Sequence, residues 1–211
     1  MPVVKIENIS EECTWGLWKI VENTEVLMQE VIISDEEKSE LVRITNPRRK
    51  KEWLAARVIL KSIMEHLKIP YLGTRKNDSN KPFLVHNGFH ISIAHSFPFA
   101  GAIVNKINPC GIDIEKPKPA LFFIASKFLN EEESAYVAKK PMDLCLAWAA
   151  KEVMYKLYGQ RDLSFRDNLL IQPYECKLKG QVNVHLNYDK HESLVPLEYE
   201  QMEDTMICYS C

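Results

Sequence analysis

Helix-type and strand-type runs follow one another in this chain without strict alternation, and that mixture restricts the fold to the α+β class. Asn46-Pro47 supplies a helix cap and a proline at the first helical position. Trp53, Leu54, Leu60, Ile63, Met64 and Leu67 follow as an apolar stripe at helical spacing that stops before Pro70. A second strong helix is expected over residues 142–158, ended by Gly159. Shorter helices are expected over 23–33, after the Ser34 cap with Asp35, Glu36 and Glu37 behind it, over 120–129, and over 130–138 with Asn130 as cap. Strand-type runs occupy 13–20, 83–85, 90–94, 100–104, 111–115, 169–171, 182–186 and 205–209, whereas 73–80 reads as a loop. No sequence repeat and no low-complexity linker is visible.

At 211 residues the chain can bury a sizeable core, as one large domain or two small ones. Its net charge of -2 argues against a broad nucleic-acid-binding surface. The N-terminal residues lack a basic stretch followed by an apolar one, and no apolar run reaches membrane-spanning length, so a cytoplasmic protein is expected. The 6 cysteines are scattered and read as reduced, packed thiols. Cys208 and Cys211 have Cys-x-x-Cys spacing but no second pair, which reads as an accident of the last strand rather than a zinc or redox motif.

The chemistry concentrates in two acidic clusters. In Gly111–Glu115, Asp113 and Glu115 alternate with apolar residues, so a strand points both carboxylates to one face. Facing acids repel one another unless a cation lies between them; the plainer alternative is a half-buried strand with its acidic face in water. Glu152 and Lys156, four apart, share a helical face, and a solvated pair of this kind is worth only ~0.3 kcal/mol. Trp148, Glu152 and Tyr155 fall roughly on one face, while Lys151 points about a quarter-turn away and is free to serve a different partner. Carboxylates and an ammonium from two rigid elements can hold Mg²⁺ on a pyrophosphate. Arg48, Arg49, Lys50 and Lys51 open the first long helix and Arg57 lies two turns on, a solvated face or a phosphate site. Lys81 stands at the mouth of a strand, and His95-Ser96 closes another.

Taken in order, the basic helix, Asn80-Lys81-Pro82, the strand ending in His95-Ser96, Gly111–Glu115 and the Trp148-to-Lys156 helix resemble the Sfp-type 4′-phosphopantetheinyl transferases. The resemblance spans residues 48–159. It implies two similar α+β halves, 1–105 and 106–211, about a pseudo-twofold axis, monomeric, with coenzyme A in the cleft between them. It implies Mg²⁺-dependent transfer of the phosphopantetheine arm of coenzyme A to a serine of an apo acyl or peptidyl carrier protein, releasing 3′,5′-ADP. By position, Asp113, Glu115 and Glu152 match the metal ligands, and Mn²⁺ suits the same oxygens. Glu152 also matches the proposed base, and Lys156 the lysine on the pyrophosphate. Arg49 and Arg57 match 3′-phosphate contacts, and Lys81 and His95, with Ser96 beside it, further contacts to coenzyme A. Ala94 stands where the family often has serine, and Val153 where many members have a small residue. Carrier docking is expected in the region of residues 116–127, with Phe122 and Phe123 either exposed candidates or core phenylalanines of a helix. Two other readings fit the carboxylates: a Mg²⁺ nuclease, whose Glu-x-Lys would lie in a strand, and a coenzyme A- or carrier-binding module without catalysis.

Overall fold

A computed structural model describes residues 3–78, 80–137, 140–159 and 162–211 and divides into two compact units. The first takes Met1–Ile112 together with Cys211, and the second Asp113–Ser210. The last position of the helix expected over 130–138 and Ser79 of the expected loop lie outside the described residues.

In the first unit, strands β1 (Val3–Asn8), β2 (Cys13–Lys19), β5 (His90–Ser96) and β6 (Phe99–Asn105) form an antiparallel sheet in the order β1-β2-β6-β5. Helices α1 (Thr24–Glu30) and α2 (Asp35–Arg43) lead into the long α3 (Pro47–His66), capped by Asn46 as its sequence requires. α3 packs on β2, β5 and β6. The close approach depends on Gly16, because a Cβ there would lie 2.9 Å from the Ile59 side chain. Trp18, Leu54, Ile59, Leu60, Ile63 and Ala102 belong to the core that results. Residues 73–80 are not all loop: β3 (Thr74–Lys76) pairs with β4 (Pro82–Leu84), a two-stranded ladder too short to show an alternating pattern.

The second unit builds its own core on a five-stranded sheet, β7-β11-β10-β9-β8. Its strands are β7 (Gly111–Glu115), β8 (Leu169–Ile171), β9 (Lys179–Tyr188), β10 (His191–Met202) and β11 (Thr205–Ser210). β10 has no counterpart among the strand runs read from the sequence. Pro196 lies within it, opposite Asn183, and a proline normally demotes a run from central-strand status. The β9–β10 turn, Asp189-Lys190, has both residues at positive φ, as the tightest hairpins require. Helices α4 (Pro119–Phe128), α5 (Glu131–Val137) and α6 (Pro141–Tyr158) complete the unit, with α6 on β11, β8 and β9. Gly159 ends α6 in the left-handed conformation at φ 64°. Among the described residues no helix is long and apolar enough to cross a membrane.

Each unit is pinned by a buried glutamate at the start of a short helix. Glu37, at the third position of α2, accepts hydrogen bonds from Ser34 N–H at 3.0 Å, Thr74 N–H at 2.9 Å and Arg57 Nε at 2.8 Å. Glu133 in α5 accepts from Asn130 N–H at 2.9 Å, Ile171 N–H at 2.8 Å and Lys151 Nζ at 2.7 Å. Each carboxylate thus joins a helix cap, a strand and a cation on the unit's long helix. The chain separations match as well: 20 and 18 residues to the cation, 37 and 38 to the strand N–H. The two units share this polar scheme without a visible sequence repeat.

The cysteine expectation needs one correction. Cys13 and Cys211 are joined by a disulfide, their Cα atoms 6.3 Å apart; the pairing spans 198 residues, so no local spacing announces it. Cys110, Cys145, Cys176 and Cys208 are free.

Removing the Glu37 carboxylate takes from Arg57, which is 5% exposed, its hydrogen-bonded counter-charge and leaves only Glu40 at 3.7 Å. Glu37→Ala should therefore cost about 3–5 kcal/mol, read as a lower urea midpoint; an unchanged midpoint would remove the pin's role in stability. Glu40 tests the rim of the same network. Burial alone would raise its carboxyl pKa, but the hydrogen bond and charge of Lys76 and the charge of Arg57 hold it below the ordinary 4.5. A carboxyl depressed on folding adds stability above its unfolded pKa and loses it as pH falls through the folded one. The midpoint difference between wild type and Glu40→Gln should be present at pH 7 and close in acid below about pH 4.5.

Candidate functional site

β7 and α6 deliver the second unit's acidic side chains. Glycine at the head of β7 and the alternation after it aim Asp113 and Glu115 to one side. On α6, Glu152 and Lys156 share a face at i,i+4 spacing. Lys156 Nζ donates to Asp113 Oδ1 at 2.8 Å, which fixes strand and helix faces opposite one another. Glu115 Oε1 receives Lys118 Nζ at 2.6 Å and the Lys116 N–H at 2.9 Å. Glu152 is half-buried, and burial first, then the neighbouring Asp113 charge, with Glu115 adding to it against Lys156, pushes its carboxyl pKa up to about 7. Asp113, Glu115, Glu152 and Lys156 are therefore one electrostatic cluster. Among the described residues no group of three or more His, Cys, Asp or Glu side chains is placed to hold a metal ion. Lys156 is the cation that faces Asp113.

The aromatic neighbours of Glu152 brace the helix. Trp148 meets the Phe128 ring edge-on at 5.0 Å and the Phe165 ring at 5.6 Å, and Tyr155 lies 5.8 Å from Phe165. Lys151 does take a different partner from Lys156, donating to Glu133 inside the core. Phe122 and Phe123 on α4 are solvent-facing, with Phe123 83% exposed.

The first unit holds the basic candidates, and it does not gather them all. Arg49 sits exposed in the first turn of α3, its N–H bound to the Asn46 cap. Arg57, eight residues on and about 12 Å along the axis, turns inward to Glu37, Glu40 and the Trp53 carbonyl. His95 Nδ1 stands 3.4 Å from Glu52 Oε2, and Glu52 also receives the Phe97 N–H and Arg48 Nε. Ser96 is buried at the end of β5. Lys81 lines a 350 Å³ pocket with Asn77, Phe83, Phe89 and His90.

Glu37, Glu52 and Glu133, which organise these elements, were not among the sequence candidates. Glu37 and Glu133 carry a signal, since each is the third residue after a Ser or Asn cap. Their burial is the part that spacing does not reveal.

Residues 37–105 match the 4′-phosphopantetheinyl transferase N-terminal domain, and residues 109–199 match the 4′-phosphopantetheinyl transferase superfamily. The chain belongs to that superfamily. It is similar to the 4′-phosphopantetheinyl transferase gsp of Aneurinibacillus migulanus, with 29% identity over 136 residues. That match takes in 61% of this chain and spans about half the relative's length, 56% of it.

Three neighbouring acids, countered by Lys156 at Asp113 and by Lys118 at Glu115, still leave like-charge repulsion on Glu152. Glu152→Gln should raise the unfolding midpoint in the presence of a chelator. A midpoint at or below wild type would mean that the carboxylates are not crowded.

Proposed function

We propose that this protein transfers the 4′-phosphopantetheine arm of coenzyme A to a serine of an apo acyl or peptidyl carrier protein. Superfamily membership supports the class of reaction. The observation that carries the reading is the convergence of Asp113, Glu115, Glu152 and Lys156 from β7 and α6 within the stretch that matches the superfamily.

The donor set suits a hard cation: three carboxylates on two rigid elements, one of them with its charge opposed by the other two. Asp113, Glu115 and Glu152 would hold Mg²⁺, or Mn²⁺ in its place. When bound, Mg²⁺ supplies positive charge to the pyrophosphate and its leaving oxygen. Lys156 turns from Asp113 to the pyrophosphate and offsets the same charge. Glu152 accepts the proton of the carrier serine, directly or through one water. The serine oxygen bonds to the β-phosphorus, the bond to the nucleotide breaks, and 3′,5′-ADP departs with the electron pair.

In the first unit Arg49 is the 3′-phosphate contact, with Lys81, His95 and Ser96 as further contacts to coenzyme A. Arg57 serves that site from behind, since its guanidinium is committed to Glu37 and holds α2 and β3 on α3. Carriers are acidic helical bundles, and the exposed Phe122 and Phe123 beside Lys127 on α4 offer an apolar and basic docking rim. A cytoplasmic monomer is part of this proposal, in which the Cys13–Cys211 disulfide is unusual for its compartment.

Intact-mass spectrometry of apo carrier proteins incubated with this protein, coenzyme A and Mg²⁺ tests the reading. A gain of one phosphopantetheine, abolished by EDTA, is expected; no gain with any of several acyl and peptidyl carriers sinks it. Arg49→Ala should raise the KM for coenzyme A about tenfold or more, the loss of one charge-assisted phosphate contact. With 3′-dephospho-coenzyme A as donor the same substitution should make little difference, and an equal loss there would remove Arg49 from the 3′-phosphate.

A further inference from the structure

Lys151 lies next to the proposed base yet is 0% exposed. Its ammonium donates to the Phe128 carbonyl at 2.7 Å, to Glu133 Oε2 at 2.7 Å and to the Phe165 carbonyl at 2.9 Å. An ammonium has three protons, and all three are engaged. Lys151 is thereby unavailable to a phosphate. The acceptors come from the end of α4, the start of α5 and the segment following α6. Through Glu133 the same group reaches the Ile171 N–H of β8.

Trp148, one turn earlier on the same face, packs its ring against the rings of Phe128 and Phe165, the two residues whose carbonyls Lys151 binds. One face of α6 is therefore held by both ring packing and directional hydrogen bonds. Adjacent helical residues are about 100° apart, so fixing Lys151 fixes where Glu152 points. Lys156 lies a further four residues on, about 40° from Glu152, and meets Asp113. Rotating the helix by about 20° would swing a side-chain tip 5–6 Å from the axis by about 2 Å. A misplacement of about 1 Å already costs a reaction on the order of 100-fold.

We infer that Lys151 is a positioning residue: bonded to Glu133, Phe128 and Phe165, it sets the rotation of α6 and so presents Glu152 and Lys156 to Asp113. The catalytic consequence rests on the transfer reading above; the geometric one does not. Glu133 belongs to the same device. Arg57 and Glu37 hold α3 in the corresponding way, but Val58 follows Arg57 where Glu152 follows Lys151.

Two variants test this. Lys151→Met leaves Glu133 buried without its cation and is apt to lose folding altogether. Lys151→Met combined with Glu133→Gln removes both charges and keeps an acceptor for the Ile171 N–H, a type of replacement that folds tolerate. Crystal structures of wild type and the double variant give the Lys156 Nζ–Asp113 Oδ1 separation, 2.8 Å here. Kinetics are read as kcat per coenzyme A-binding site, counted by titration, so that unfolded protein does not enter.

The expected result is a separation beyond hydrogen-bonding range in the double variant, a kcat per site lower by at least about tenfold, and a KM for coenzyme A within about threefold of wild type. A retained Lys156–Asp113 bond overturns the inference, and so does an unchanged kcat per site. A wild type that modifies no carrier refutes the transfer reading alone, and the two crystal structures then decide the rotation by themselves.

Discussion

A carboxylate buried beside a cation is costly unless further hydrogen bonds offset its desolvation, and this fold supplies them to a buried glutamate twice. Glu37 and Glu133 each cap a short helix, take a strand N–H and neutralise a basic residue of the unit's long helix. Apolar packing alone would leave α3 and α6 free to settle at several rotations on their sheets. The directional bonds select one. The choice of cation follows from the acceptors available. Arg57 spreads its fork over Glu37, Glu40 and the Trp53 carbonyl, whereas Lys151 matches three acceptors with three ammonium protons.

The placement of the acidic cluster depends on that selection. Asp113 and Glu115 share a strand face by alternation, and Glu152 and Lys156 share a helix face by period, but neither regularity brings the two faces together. The Lys156–Asp113 bond does so on one side of α6, and the Lys151 pin holds the other. The repulsion on Glu152 is tolerated because the rest of the helix is so firmly braced.

Much of this was legible in the residues. The two long helices, their caps, the α+β class and the spacing of the acidic clusters follow from local rules, which act within a few residues. β10 was hidden because Pro196, Glu192, Glu198 and Glu200 mask an inner strand, and only pairing with β9 and β11 defines it. Thr74–Lys76 was hidden by its brevity. The Cys13–Cys211 pairing was hidden by a separation of 198 residues. At the candidate site, Lys151 could be seen to point away from Glu152, but its destination depends on Glu133, 18 residues earlier and on another helix. Arg57 was read as part of a solvated basic face or a phosphate site, and it is the carboxylates of α2 that draw it into the core.

The paired glutamate pins also decide which changes the two long helices can absorb. Losing one member of a pin leaves the other buried without its principal partner, so the two are exchanged together or not at all. The position after the cation carries no such constraint: it is valine at 58 and glutamate at 152. One polar plan thus holds a long helix in each unit and leaves the neighbouring position open to quite different side chains.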